Sequence, residues 1–286
     1  MPAKHRPSFM ITRILSALVL IPLVIAVVFF APPIVFSAAV TLLCLVAFGE
    51  FLLLRDGRMD RSPGFWPTMA AASLCGFAVV HPMFTDHRVA GIVAFFMIAG
   101  VLTVWFSKRN EEIVSRLVWP TAGFLYLFVL FSFVVDIRFD VDPACGAGLL
   151  MAFLLIQWVG DTFAYFTGTW LGRHPLAPRI SPKKTVEGTI GGVLGSAGVG
   201  LAAWWWLPPS QPLWPLLLLG GAAGALGQVG DLLESQFKRA AGVKDSSHII
   251  PGHGGVLDRL DSLIFTAPPF YYALQWCVTS GYVTFG

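Results

Sequence analysis

The chain has 286 residues, of which 56% are hydrophobic and only 12% are charged. Its mean hydropathy of +0.74 excludes a soluble domain of this length and predicts an integral membrane protein. The net charge of +3 is not gathered into a basic stripe, so we expect no nucleic-acid partner. The four cysteines are too widely separated for a CxxC redox pair or a zinc knuckle, and we interpret them as packing residues.

Apolar runs of about 20 residues, each long enough for one membrane crossing, predict nine transmembrane helices. They lie near residues 14–31, 34–54, 65–81, 89–106, 117–135, 147–168, 189–207, 213–233 and 263–285. The first run could be a signal peptide, but it is too long for one and no clear cleavage site follows. We therefore expect an all-α polytopic membrane protein, with about five helices in residues 1–135 and about four in a catalytic part, residues 136–286.

Basic residues divide unequally between the loops that these helices would create. If the N-terminus is cytoplasmic, 17 of the 19 Lys and Arg residues lie on the cytoplasmic side, and only Arg88 and Arg138 lie on the outer side. The positive-inside rule asks for such a division. We therefore predict a cytoplasmic N-terminus, an outer C-terminus, and two long cytoplasmic loops at residues 169–188 and 234–262.

Four carboxylates fall within or at the ends of the apolar runs, namely Glu50, Asp161, Asp231 and Glu234. An ionised side chain there costs at least ~2.5 kcal/mol, so each of them needs a partner. Asp161 lies roughly 10 Å from the end of its run at 1.5 Å per residue, and has either a functional role or a helix–helix hydrogen bond. Glu50 lies closer to the interface, where it has either a role of its own or a basic neighbour, Arg55 or Arg58.

The eighth predicted helix carries a polar stripe. Asp231, Ser235 and Lys238 stand at positions i, i+4 and i+7, so they share one helix face. If a helix begins at Leu257, Asp258 and Asp261 form a second stripe, with Ser262 beside them. Two helices joined by so short a loop can face one another, which would bring Asp231 and Asp258 within reach of a shared cation.

Carboxylate oxygens of this kind suit Mg²⁺, which is usually completed by water and substrate phosphates. Between the two stripes, His253, Gly254 and Gly255 offer backbone N–H groups that can approach an anion. His253 itself could bind phosphate, protonate a leaving pyrophosphate, or only form a turn. Basic residues that can hold phosphate flank this segment, namely Lys238, Arg239, Lys244 and Arg259.

The run from Ser235 to Asp261 carries the pattern S-x-x-K-R-x4-K-D-x-S-x2-I-P-x-H-G-G-x-x-D-R-x-D. It closely resembles the signature of the phosphatidate cytidylyltransferases, the CDP-diacylglycerol synthases. Residues 161–188 also resemble a segment of that family, at Asp161, Tyr165, Gly168, Gly172, Ser181, Pro182, Lys184, Thr185, Glu187 and Gly188. The first five predicted helices match the family in hydropathy and length only.

The resemblance implies transfer of a cytidylyl group from CTP to phosphatidic acid, giving CDP-diacylglycerol and pyrophosphate for phospholipid biosynthesis. It implies Mg²⁺ as cofactor, held by Asp231 and Asp258, with a second cation such as K⁺ nearby. It also implies a polar cavity open to cytoplasm and membrane, a homodimer, and a bacterial plasma membrane as the location.

Site roles follow for each matching position. The predicted catalytic residues are Asp231, Lys238, Arg239, Asp258 and Asp261. The predicted phosphate-binding residues are Lys184, Ser235, Lys244, His253, Gly254, Gly255 and Arg259. Asp161 and Asp245 are predicted to support them, and Lys184 could instead be an ordinary positive-inside anchor.

Two other functions compete with this interpretation. A CTP-dependent kinase of polyprenol or phytol would phosphorylate a lipid alcohol and release CDP. A secondary transporter would use Asp161 and Asp231 as ion-relay carboxylates, but the chain shows no inverted repeat.

Overall fold

The computed structural model describes residues 7–54, 64–107, 109–205, 207, 212–247, 249–250 and 254–284. For residues 7–17, Thr85 and Trp204 it describes the backbone alone. Arg55, Arg58 and His253, which the sequence analysis considered, lie outside these residues. Within the described part, the fold is almost entirely helical.

The N-terminal helices begin and end close to the predicted runs. They are α1 (Pro7–Phe30), α2 (Pro33–Leu54), α3 (Phe65–Val80), a 3-10 helix (Pro82–His87), α4 (Arg88–Phe106), α5 (Asn110–Phe124), a π-helical turn (Leu125–Val129) and α6 (Leu130–Phe139). The last three form one continuous stretch, Asn110–Phe139, which begins seven residues before the predicted run at 117–135.

The C-terminal elements extend the predicted runs toward the polar loops. They are α7 (Gly146–Leu171), β1 (Pro175–Ala177), β2 (Ser181–Thr185), α8 (Val186–Ala202), a 3-10 helix (Ala203–Trp205), α9 (Trp214–Ala240) and α10 (Leu257–Thr279). Strands β1 and β2 form a small antiparallel hairpin inside the loop predicted at 169–188. Because α9 continues to Ala240, Lys238 and Arg239 lie on a helix and not in the loop predicted to start at 234.

Five of the described helical stretches are long and apolar enough to cross a membrane: Pro33–Leu54, Arg88–Phe106, Asn110–Phe139, Gly146–Leu171 and Trp214–Ala240. Shorter apolar helices are Leu18–Phe30, Phe65–Val80 and Val186–Ala202. The chain is therefore an all-α membrane protein, as predicted. The count of nine crossings and the orientation of the termini stay predictions.

Aromatic side chains fill the core between the N-terminal helices. Phe95 of α4 stacks on Phe124 of α5, with ring centroids 4.0 Å apart, and both are buried. Phe48 of α2 meets Phe95 and Phe128 edge to face at 6.0 and 5.8 Å. Such pairs add about 0.5–1.5 kcal/mol each beyond the burial of their area, so they hold α2, α4 and α5 together.

Small residues let the C-terminal helices approach closely. A Cβ at Gly160 of α7 would lie 2.2 Å from Ser196 Oγ of α8, and a Cβ at Gly200 of α8 would lie 2.2 Å from the carbonyl oxygen of Leu216 on α9. Membrane helices pack through small residues because lipid offers them no hydrophobic driving force for association. Glycine at these places allows α7, α8 and α9 to form one tightly packed layer.

Contacts at both ends show that α9 and α10 are antiparallel. Lys238 near the end of α9 pairs with Asp258 at the start of α10, whereas Trp214 at the start of α9 packs on Tyr282 beyond the end of α10. Glu50, near the end of α2, also meets the start of α10. We call this end of the bundle the site end and the opposite end the far end.

The far end holds both basic residues that were predicted to face the outer side. Arg138 donates to the carbonyl oxygen of Val28 near the end of α1, 2.8 Å away. Arg88 forms a bidentate ion pair with Asp136, in which Nη1 lies 2.7 Å from Oδ2 and Nη2 lies 2.5 Å from Oδ1. The separation of these residues from Lys184 and Lys238 agrees with the predicted division of charge, while the direction of the bundle in a membrane stays a prediction.

Candidate active site

Three carboxylates meet at the site end between α9 and α10. Asp231 and Glu234 stand three residues apart on α9, and Asp261 faces them from α10. One oxygen from each lies within 4.8 Å of the others, and we call this group the acidic triad. The helices approach closely here because Gly230 has no side chain: a Cβ there would lie 2.7 Å from the carbonyl oxygen of Asp261.

Glu234 is the most enclosed member of the acidic triad. It is fully buried, and its Oε2 lies 2.5 Å from Lys238 Nζ, one helical turn along α9. Neither of its oxygens has a hydrogen-bond partner among the described residues, so the contact of Oε2 with Lys238 is an ion pair and Oε1 has no partner there. A buried carboxylate with so few partners needs positive charge close by, because burial of an unpaired charge is very costly. The acidic triad is thus an all-oxygen donor set suited to a divalent cation.

Lys238 joins the acidic triad to Asp258. Its ammonium lies 2.7 Å from Asp258 Oδ1 in addition to its contact with Glu234. Asp258 also accepts hydrogen bonds from Gly255 N at 2.8 Å and from Ser246 Oγ at 3.0 Å. Asp258 is therefore connected to the acidic triad through the ammonium group of Lys238. Its predicted role as a metal ligand stays a prediction.

A second lysine reaches the acidic triad from the hairpin. Lys184 of β2 places its Nζ 2.5 Å from Asp231 Oδ2 and donates to Gln228 Oε1 at 3.3 Å. The amide nitrogen of Gln228 in turn donates to Asp161 Oδ1 at 3.4 Å. The structure therefore brings the segment from residue 161 to 188 to the same place as α9, and Asp161 makes an interhelical hydrogen bond there.

The glycines before α10 make room for carboxylates. Gly254 has a φ of +83°, a conformation that side chains disfavour, and a Cβ there would lie 2.8 Å from Asp258 Oδ2. The N–H groups of Gly255, Val256 and Leu257 donate to Asp258 and Glu50. Phosphate binding by Gly254 and Gly255 stays a prediction, and the N–H of Gly255 meets a carboxylate of the chain itself.

The remaining predicted residues lie at the edge of the site. Ser235 donates to Asp231 Oδ1 at 3.4 Å, next to the acidic triad. Arg239 is exposed and donates to the carbonyl oxygens of Ile180 and Val243, so it ties α9 to the hairpin. Further exposed residues are Lys244, Asp245 and Arg259. The cations Arg239, Lys244 and Arg259 can meet a phosphate that arrives from water, while His253 is outside the described residues.

Two residues of the site were not among the predicted site residues. Glu234 could have been found from its spacing, because it stands at i+3 from Asp231 and so shares its face. Gln228, one turn before Asp231, links Lys184 and Asp161. No local pattern marks a neutral amide in an apolar helix as part of a site, so only the tertiary contacts reveal it.

Comparison with known proteins supports the resemblance seen in the sequence. A family model described as "Cytidylyltransferase family" matches residues 11–277. A phosphatidate cytidylyltransferase of Synechocystis sp. is 35% identical over 270 residues, covering 83% of this chain and 87% of that protein. Proteins of the same name from Staphylococcus haemolyticus and Staphylococcus aureus are 33% and 32% identical, and cover 79% and 90% of this chain and 85% and 95% of their own lengths.

The acidic triad, the two lysines that contact it and the signature from Ser235 to Asp261 all lie within the matched residues. Both the family model and the relatives span far more than half of the chain, so the likeness is not limited to one motif. The chain belongs to the cytidylyltransferase family and is an enzyme.

Proposed function

We propose that the enzyme transfers the cytidylyl group of CTP to the phosphate of phosphatidic acid, and so forms CDP-diacylglycerol and pyrophosphate. The observation that carries the proposal is the acidic triad with Lys184 and Lys238 in direct contact, in a chain whose relatives are named phosphatidate cytidylyltransferases. Carboxylates that hold a cation, with ammonium groups beside them, are typical of phosphoryl and nucleotidyl transfer.

The acidic triad fits Mg²⁺, because its donors are all oxygen and Glu234 Oε1 has no partner among the described side chains and backbone groups. Asp231, Glu234 and Asp261 would hold the ion, and Asp258 is a further predicted ligand. When bound, Mg²⁺ neutralises triphosphate charge and eases the departure of pyrophosphate. A second cation such as K⁺ is proposed from the family resemblance.

The reaction that we propose needs no activated side chain. An oxygen of the lipid phosphate, already ionised near neutral pH, attacks the α-phosphorus of CTP, and the bond from that phosphorus to the oxygen of the β-phosphate breaks. The residues of the chain bring two polyanions together and stabilise their charge. Lys184 and Lys238 lie where they can contact the reacting phosphates, and the exposed Arg239, Lys244 and Arg259 can hold the outer ones.

Access from the membrane is supported by residues on α7. Asp161, which is exposed, is followed one turn later by Tyr165, whose exposed fraction is 69%. Trp170 near the end of α7 is exposed to 76%. Aromatic side chains of this kind are enriched at membrane interfaces. We propose that phosphatidic acid enters past this face of α7, and that CTP arrives from the cytoplasm at the site end.

The proposed setting is a bacterial plasma membrane, with the site facing the cytoplasm. We also propose a homodimer, as implied by the family resemblance. The concentration of basic residues at the site end supports the orientation, because positive charge favours the cytoplasmic side.

One product analysis tests the proposed reaction. The purified protein is incubated with CTP labelled at the α-phosphate, defined phosphatidic acid and Mg²⁺. We expect the label in a lipid-soluble product, with one pyrophosphate released for each label transferred. Release of CDP, with a lipid alcohol as acceptor, would instead identify a lipid kinase and contradict the proposal.

A further inference from the structure

Glu50 is a buried carboxylate that the proposed reaction does not use. It lies on α2 with an exposed fraction of 2%, yet four polar groups lie within hydrogen-bond distance of it, three in the segment that connects α9 to α10 and one at the first residue of α10. Ser247 Oγ donates at 2.5 Å and Ser246 Oγ lies 3.0 Å away. The backbone nitrogens of Val256 and Leu257 donate at 3.0 and 2.8 Å. These partners stand 196 to 207 residues later in the sequence.

These contacts make Glu50 the cap of α10. The N-cap residue of that helix, Val256, offers no side-chain hydrogen bond of its own. The first N–H groups of a helix have no partner within the helix, and a negative charge beside them is favourable. Glu50 satisfies two of them from a different helix. The start of α10, which carries Asp258 and Asp261, is therefore held by α2.

A single hydroxyl links Glu50 to Asp258. Ser246 Oγ lies 3.0 Å from Glu50 Oε2 and 3.0 Å from Asp258 Oδ2. The space around it is filled, because a Cβ at Gly255 would lie 2.0 Å from Ser246 Oγ and 2.6 Å from Glu50 Oε2. A shift of the Glu50 carboxylate must therefore displace Ser246, and with it the side chain of Asp258.

The chain of contacts continues to the acidic triad. Asp258 holds the ammonium of Lys238 at 2.7 Å, and the same ammonium lies 2.5 Å from Glu234. Loss of the Glu50 contacts would loosen Asp258 and then Lys238. Reaction rates fall steeply when charged groups move by even 1 Å from their working positions.

We propose that Glu50 is a positioning residue of the active site, which sets Asp258 and Lys238 by clamping Ser246, Ser247 and the start of α10. It contacts no substrate, and its effect on the reaction passes through Ser246 and the cap of α10. The inference rests on the proposed function, because it concerns the rate of that reaction.

The test compares Glu50→Gln and Ser246→Ala with the wild-type enzyme, as the full chain in lipid nanodiscs. Glutamine keeps the shape of Glu50, but in either orientation its NH₂ group faces a backbone N–H, of Val256 or of Leu257, which cannot accept a hydrogen bond. We expect kcat to fall at least about tenfold in Glu50→Gln, with KM for CTP changed by less than about threefold. Ser246→Ala removes the hydroxyl between Glu50 and Asp258 but leaves the hydrogen bonds of Glu50 to the start of α10. We therefore expect a smaller loss of kcat in this variant.

A double-mutant cycle separates positioning from general destabilisation. If Glu50 acts through Ser246, the double variant should lose much less than the product of the two single losses. The matched control is Asp136→Asn, which removes a buried carboxylate from its ion pair with Arg88 at the far end. We expect that variant to lower the midpoint of thermal unfolding, leave kcat unchanged and combine multiplicatively with Ser246→Ala.

The outcomes distinguish this inference from the proposed function. An active wild-type enzyme with near-normal kcat in Glu50→Gln, or with fully multiplicative losses in the cycle, overturns the role of Glu50 alone. If Glu50→Gln does not fold, a normal kcat in Ser246→Ala overturns it. A wild-type protein that forms no CDP-diacylglycerol overturns the proposed function together with the inference.

Discussion

At the scale of single residues, charge compensation organises the site. Lys238 is buried, and its ammonium contacts carboxylates of two helices, Glu234 and Asp258. Lys184 contacts another carboxylate of α9, that of Asp231. Because each buried charge requires an opposite one nearby, the acidic triad and the two lysines are mutually dependent. The shared face of Asp231, Ser235 and Lys238 was predictable from helical spacing, whereas the contacts of Asp231 with Lys184 and of Lys238 with Asp258 were not.

Removal of a carboxylate from the site should abolish both turnover and the response to metal. We expect Asp231→Asn and Asp261→Asn to lower kcat by at least about 100-fold, because charge on the triphosphate is then poorly neutralised. Mg²⁺ should raise the midpoint of thermal unfolding of the wild-type protein, as any ligand of the native state does, but not that of these variants.

Turnover and the effect of Mg²⁺ on the midpoint of thermal unfolding also test the role of Asp258. Asp258→Asn should also lose turnover, since it both holds Lys238 and is a predicted ligand, and loss of the Mg²⁺ response would support the second role. The control is Asp86→Asn, which changes an exposed carboxylate beyond α3. This variant should keep both normal turnover and the stabilisation by Mg²⁺. Near-normal turnover in Asp231→Asn or Asp261→Asn would contradict the assignment of the acidic triad.

At the scale of helices, close backbone approach decides which faces meet. The predicted runs located the helices within a few residues, but α9 continues seven residues beyond its predicted end, to Ala240. Hydropathy could not show this, because the last turns carry the charged residues that enter the site. The hairpin of β1 and β2 was likewise missed, since its strands are only three and five residues long.

Two adjacent glycines of α9 provide a matched test of this packing. A Cβ at Gly220 would lie 2.5 Å from the carbonyl oxygen of Ser196 on α8, whereas one at Gly221 would come no closer than 3.6 Å to Ala197 Cβ. We expect Gly220→Ala to cost about 1–3 kcal/mol in the free energy of unfolding, because backbone cannot yield as a side chain can.

Gly221→Ala is the control for that variant. Alanine is favoured over glycine in a helix by about 1 kcal/mol, so this change should be neutral or slightly stabilising. Thermal unfolding in the same detergent measures both. Equal midpoints for the two variants would show that α8 and α9 do not pack through Gly220.

At the scale of the whole molecule, the two ends of the bundle differ in chemistry. The site end gathers the acidic triad, Lys184 and Lys238, while the far end holds the ion pair of Arg88 and Asp136. Glu50 ties the N-terminal helices to the site end, so these helices contribute to the site although the signature from Ser235 to Asp261 lies outside them.

The predicted orientation can be tested with single cysteines in a cysteine-free background. Lys244→Cys at the site end should react with a membrane-impermeant maleimide only from the cytoplasmic side, because the positive-inside rule places that loop there. Met83→Cys, at an exposed residue between α3 and α4, should react only from the outer side. Labelling of both positions from the same side would contradict the predicted topology.

The sequence by itself determined the class of the protein, the approximate helices, the family and most of the polar residues of the site. Hydropathy, charge division and helical spacing are local properties of a chain, so they can be read without coordinates. Only the tertiary structure decided which groups meet: Lys184 with Asp231, Lys238 with Asp258, and Glu50 with the start of α10. The physical reason is that a buried charge requires a partner, but its neighbours along the chain do not reveal which distant residue supplies it.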